Sequence, residues 1–165
     1  MSEPILTPED LEQYMQTRGI SGEILHLEEP TPTIETAAQA VGKDPAEIVK
    51  SILFMVAGEP VLAITCGPDY VDRRSLAEAF GVGRKKVKLA DPERVLNETG
   101  YPVGGMPPFG HRSPLPTLLD RRVLEKELVF AGGGSDRTLV RISPEEILRA
   151  AQAKVLDLLF PTNTN

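Results

Sequence analysis

Residues 51–66 read SILFMVAGEPVLAITC, two apolar runs separated by a short break that contains Gly58 and Pro60. Runs of this length, rich in β-branched residues and split by a glycine-containing turn, form an antiparallel hairpin. A hairpin inside the chain excludes a purely parallel sheet. Further strand-like runs lie at 23–27, 86–89, 117–119, 128–131 and 139–142, and the last two close a second hairpin through GGGSDR at 132–137. Four helix starts share one pattern, a capping residue followed by proline at the first helical position: Thr7-Pro8, Asp44-Pro45, Asp91-Pro92 and Ser143-Pro144. Asp10, Glu47 and Glu146 stand at the capping-box position of three of them. The first helix is read over 8–17, ending near Gly19; Thr33 caps another through ETAAQAV to Gly42, and Asp72 one through RRSLAEAF to Gly81. Hairpins mixed with helices predict an α/β fold with a mixed sheet or partly closed barrel. We expect one domain over 1–165, an N-terminal helix within 1–20 and a frayed tail, PTNTN, at 161–165.

Composition narrows the function. With 165 residues, 41% hydrophobic and 25% charged, the chain is long enough to bury a core and is not of disordered composition. Its acidic start is unlike a signal peptide, and the longest apolar run, 52–57, is too short to span a bilayer, so a cytoplasmic protein is expected. Cys66 is the only cysteine, which excludes an internal disulfide. It closes a strand-like run with no cationic neighbour in sequence, and is read as a small buried hydrophobe rather than a thiolate nucleophile. His26 and His111 are the only histidines, and no Cys/His cluster has zinc spacing; no metal and no cofactor are expected. The net charge of −6 argues against a general nucleic-acid binder. Arg84, Lys85, Lys86 and Lys88 nevertheless form a basic run, and with Arg112 they could hold the phosphates of a short nucleic-acid end. The other reading of that run is a solvated turn.

Residues 99–119, TGYPVGGMPPFGHRSPLPTLL, join a glycine pair to five prolines, a composition too rigid for a spacer. Two readings stand: a pre-set binding loop, or a stiff crossover between elements. In the first, the bare backbone of Gly104 and Gly105 admits a ligand, and a methyl group at Gly105 would take the ligand's space. Lys50 is the second unusual feature. Period-2 alternation places it on the strand face of Ile52 and Phe54, where its ammonium either snorkels to the rim or enters a polar pocket.

The segments TIETAAQAVG, IVKSILF, ADPERVLNETGYPVGGMPPFG and LPTLLD occur in that order. Together, over about residues 20–150, the chain resembles the YbaK/EbsC and prolyl-tRNA synthetase insertion-domain family of aminoacyl-tRNA editing proteins. The resemblance implies a mixed α/β fold with a largely antiparallel, curved or barrel-like central sheet surrounded by helices. It implies hydrolysis of the ester of a mischarged tRNA, with Cys, Ala or a similar small amino acid on tRNA-Pro as substrate. The tRNA acceptor end would be the partner, with prolyl-tRNA synthetase as a candidate protein partner. Lys50 matches the family's key lysine, and Gly104, Gly105, Met106, Pro107 and Pro108 match its substrate-positioning loop. Leu25, His26 and Thr33 fall where members shape the amino-acid pocket. Pro107 replaces a small hydroxyl residue usual in the loop. Asp136, in GGGSDR, resembles a further turn near the pocket, though a simple hairpin turn accounts for it as well. An orienting site of this kind needs no catalytic triad, because the ester is already activated. The competing function is a binding module that holds aminoacyl-tRNA or a nucleotide without hydrolysing it, in association with a synthetase.

Overall fold

The computed structural model describes residues 4–160, so the 161–165 tail lies outside the described residues. The 51–66 stretch forms the expected hairpin. Strand β2 (Val49–Val56) pairs antiparallel with β3 (Glu59–Cys66) in a register that sets Lys50 opposite Thr65 and Leu53 opposite Leu62. Strand β4 (Val87–Leu89) adds to β2 antiparallel, while β5 (Thr117–Asp120) and β8 (Lys154–Leu156) add in parallel beyond β3. The result is a five-stranded sheet of order β4-β2-β3-β5-β8. A second sheet, β1-β7-β6, is formed by β1 (Glu23–His26), β6 (Val129–Gly132) and β7 (Thr138–Ile142), with β6 and β7 joined by the predicted GGGSDR hairpin.

The sheets meet at one parallel bridge between Ile48 and Phe130 and do not close. The fold class is therefore the expected mixed, largely antiparallel α/β arrangement, built from two open sheets rather than one barrel. Alternation along β2 buries both of its faces. Val49 and Leu53 pack between the sheets with Ile64, Val129, Ala131 and Val140. Ile52 and Phe54 pack on the other side against Leu76 and Ala77 of α3 (Arg73–Phe80). Helix α2 (Ile34–Val41) covers the outer face of the small sheet through Ala37, Ala38, Phe130 and Leu139. Helices α1 (Pro8–Arg18) and α5 (Pro144–Ala151) bring Leu11 and Ile147 to the inter-sheet core.

The capping residues act as their sequence suggests at Thr7, Thr33, Asp72, Asp91, the last of these starting α4 (Pro92–Thr99), and Ser143. Two local expectations need correction. Asp44-Pro45 starts only a three-residue 3-10 turn, Pro45–Glu47, because β-branched Ile48 and Val49 enter the sheets at once. At α5, Ser143 caps the helix, but the Glu146 carboxylate is turned away from the capping box, accepting from Ser21 N–H at 3.3 Å and from Arg149 at 2.6 Å. Strand β8 escaped the sequence reading because its three residues show no alternation. It is held from β5: buried Asp120 accepts from the backbone N–H groups of Leu158 at 2.7 Å and Leu159 at 3.2 Å.

Candidate functional site

Strand β4 pairs with β2 only over residues 54–56, leaving β4 short of the N-terminal half of β2. At that end a cavity of about 240 Å³ opens between β2, the N-terminus of α2 and the 103–106 loop. Thr33, Lys50, Ser51, Gly104 and Met106 line it, with Gly132 from β6 beneath. Among the described residues at its wall, Lys50 is the only charged side chain, and none is His, Cys, Asp or Glu.

Lys50 is half-buried and its Nζ donates to the carbonyl of Asp69 at 3.2 Å. Burial lowers its pKa below the ordinary lysine value, and nearby Asp69, then Cys66 and Glu35, offset part of that. Asp69 is fixed in turn. Its carboxylate accepts from Arg122 at 3.0 Å, and Arg122 also donates to the Phe160 carbonyl at 2.9 Å. The sequence carries no signal for the roles of Asp69 and Arg122, because a partner that offers a backbone carbonyl leaves no residue-type signature.

The glycines of the loop divide their work. Gly104 has φ +96°, lies at the cavity wall, and a Cβ there would meet nothing within 4 Å. Gly105 is buried against the second hairpin: a Cβ would stand 2.7 Å from Ser135 Cα and N, and its carbonyl accepts from Gly134 N–H at 2.8 Å. The expected reason for glycine at 105, room for a ligand, is thus corrected, because backbone occupies that room. Gly132 belongs to the same contact, its missing Cβ facing the Met106 carbonyl. The GGG run, read from sequence only as a turn, is the seat on which the 104–106 loop rests.

The other predicted residues are scattered. Pro107 and Pro108 are buried below the loop and are not at the Lys50 cavity wall. The Pro107 carbonyl accepts from His111 Nε2 at 2.8 Å, which fixes the Nε2–H tautomer. Burial pushes His111 down to about 4, so the ring is neutral near pH 7, with the Pro107 bond opposing the shift. Leu25 packs in the cluster beneath α2, and His26 is exposed beside a separate groove with Glu28 and Thr36. Asp136 is exposed, and its carbonyl holds Thr31, a cavity residue, through Thr31 N–H at 2.8 Å. Arg84, Lys85 and Lys86 form an exposed 3-10 turn leading to Lys88 on β4. That turn borders Val56, about 20 Å along β2 from Lys50. Arg112 is engaged elsewhere, donating to the α4 carbonyls of Leu96 and Asn97 at 3.3 Å and to that of Pro4. Cys66 is buried and its thiol is pushed up to about 11, first by burial and then by Asp120, as befits a packing residue.

The fold and cavity define an α/β protein whose site places one ammonium among hydroxyl groups and backbone. The chain belongs to the aminoacyl-tRNA editing domain family, whose model matches residues 28–150. It is 28% identical over 134 residues to the uncharacterized protein YwhH of Bacillus subtilis, covering 81% of this chain and 83% of that one. It is 37% identical over 86 residues to a proline--tRNA ligase of Nitratidesulfovibrio vulgaris, covering 50% of this chain but only 15% of the ligase. A crystal structure provisionally described as a trans-editing enzyme for prolyl tRNA synthetase superposes with a TM-score of 0.86 at 34% identity, covering 93% of this chain and 97% of that one. These findings support an editing role. No helix among the described residues is long and apolar enough to cross a membrane.

Proposed function

We propose that this chain is a trans-editing deacylase that hydrolyses the ester joining a small amino acid to the 3′-terminal ribose of a mischarged tRNA, with tRNA-Pro as the substrate class. Prolyl-tRNA synthetase is then the enzyme whose errors it removes. The observation that carries this reading is Lys50: an ammonium held by a neutral carbonyl at the wall of a cavity with no other charged side chain among its described residues. Such a group attracts a terminal phosphate or the ester carbonyl oxygen, on which negative charge develops during attack.

Water adds to the ester carbonyl carbon, the carbon–oxygen bond to the ribose breaks, and the ribose oxygen leaves as a hydroxyl with a proton from the attacking water. The amino acid departs as its carboxylate, and the second proton of the attacking water is released to solvent. With no His, Cys or carboxylate among the described residues at the wall, the substrate's neighbouring ribose hydroxyl relays the proton that passes to the leaving oxygen. The cavity's part is orientation and exclusion of larger side chains, which suits an activated ester. Catalytic residues in this scheme are Lys50 and the loop backbone at Gly104; Gly105 holds the loop. Thr33 and Met106 border the amino-acid space, Leu25 supports it from the cluster beneath α2, and the Arg84–Lys86 turn meets phosphates of the acceptor stem.

A panel of tRNA-Pro charged with Cys, Ala, Ser or Thr, incubated with substoichiometric protein, tests the reading. Multiple turnovers on at least one member are expected. Binding of the panel without turnover would establish the non-catalytic module instead.

A further inference from the structure

Tyr70 lies in the loop between β3 and α3 and is 79% exposed, the most open of the large hydrophobic side chains among the described residues. Its backbone is firmly held. The Tyr70 carbonyl accepts from Phe160 N–H at 3.2 Å, Val71 bridges Leu159, and Asp72 N–H donates to Leu158 at 2.7 Å. On the preceding side, the Asp69 carbonyl receives the Lys50 ammonium and the Asp69 carboxylate receives Arg122. One peptide unit therefore separates the Tyr70 Cα from an oxygen bonded to Lys50, a span of at most about 6 Å from Nζ. An aromatic ring presented to water on a braced backbone beside a cavity has little to gain from folding and much to gain from a flat partner.

The charges around it select that partner. Arg73 and Arg74 follow at the exposed start of α3, with the Arg74 side chain 68% exposed and touching Asp72 at 3.5 Å. The Asp69 and Asp72 carboxylates on either side of Tyr70 are met by Arg122 and Arg74, and Arg73 lies over the Phe54 ring at 5.9 Å. An exposed ring followed by two arginines and close to the Lys50 ammonium fits single-stranded nucleic acid, whose bases stack on aromatic faces while its phosphates seek positive charge.

We propose that Tyr70 is the stacking platform for an unpaired base at the 3′ end of the RNA, with Arg73 and Arg74 beside its phosphates. The assignment deepens the editing reading and rests on it for the identity of the RNA end, but its test is separate. The probe is an unacylated single-stranded RNA nonamer ending in CCA, titrated against the full chain. Tyrosine fluorescence is the readout for the wild type, and competition against that complex serves for Tyr70→Ala and Tyr70→Phe. Stacking predicts quenching on binding, an affinity loss between about fivefold and a hundredfold for Tyr70→Ala, and wild-type affinity for Tyr70→Phe, which keeps the ring. Melting temperatures of all three proteins should agree. No binding by the wild type, equal binding by Tyr70→Ala, or a loss with Tyr70→Phe as large as with Tyr70→Ala would overturn the platform. Deacylation of the charged tRNA panel by the wild type is scored independently. RNA binding through Tyr70 without hydrolysis would defeat the editing reading and leave the platform standing; hydrolysis without Tyr70-dependent binding would do the reverse.

Discussion

Replacing Gly105 by alanine is the sharpest test of how the 104–106 loop is held. The added Cβ would stand 2.7 Å from Ser135 Cα and N and 2.8 Å from its carbonyl carbon, whereas ordinary contact begins at 3.4 Å. The obstacle is backbone, so no rotamer change relieves it, and restoring ordinary contact moves the loop and hairpin apart by about 0.7 Å. Overpacking of this kind costs about 1–3 kcal/mol. Parting also weakens the 2.8 Å bond from Gly134 N–H to the Gly105 carbonyl, adding about 1 kcal/mol. A total of roughly 2–4 kcal/mol corresponds to a melting temperature lower by about 5–12 °C for a chain of this size. Thermal unfolding followed by circular dichroism measures that shift, and amide exchange at Gly134 reports the lost bond directly. Deacylation should fall as well, because Gly104 and Met106 move with their neighbour. A melting temperature within 2 °C of the wild type, with the Gly134 amide still protected, would refute the packing argument and return Gly105 to a ligand-facing role.

Lys50→Ala should abolish deacylation while leaving the melting temperature nearly unchanged, since the half-buried ammonium contributes orientation rather than core packing; retained turnover with a large loss of stability would make Lys50 structural. Reversing charge in the exposed turn, as Arg84→Glu with Lys85→Glu, should weaken binding of full-length tRNA and flatten its salt dependence yet spare the CCA nonamer, because the turn lies about 20 Å from Lys50. His111 predicts a pH effect on stability. Its folded pKa of about 4 lies below the unfolded value of 6.5, so its contribution is complete above pH 6.5 and is lost as pH falls from 6.5 toward 4, by about 3 kcal/mol. Urea midpoints for wild type and His111→Gln at pH 7.5 and 4.5 check this, and equal pH slopes in the two proteins would dismiss it.

Much of the fold was legible because its signals are local. The hairpin at 51–66 carries its own turn, and capping residues with proline mark helix starts without reference to anything distant. The same locality explains the failure at Asp44-Pro45: a cap and a proline announce a turn, but how many turns follow depends on whether the next residues are claimed by a sheet, here through Ile48 and Phe130. Parallel pairing of β5 and β8 across the whole β6-β7 hairpin and α5 is a long-range event, held by the Asp120 carboxyl group reaching Leu158 and Leu159. No spacing rule connects those positions.

The site divides along the same line. Alternation placed Lys50 on the face of Ile52 and Phe54, but alternation cannot say what its ammonium meets. The answer depends on which group of Asp69 is left for it. Arg122 takes the carboxylate, so Lys50 receives the neutral carbonyl and keeps its net positive charge, with two of its three N–H donors unused among the described residues. Had the carboxylate turned inward, an ion pair would have cancelled the charge a substrate oxygen needs. The positive cavity is therefore set by a residue that does not line it, and by the C-terminal segment whose Phe160 carbonyl fixes Arg122. A loop whose side chains compete for partners in this way can be understood only once the chain has brought residues 50, 69, 122 and 160 together.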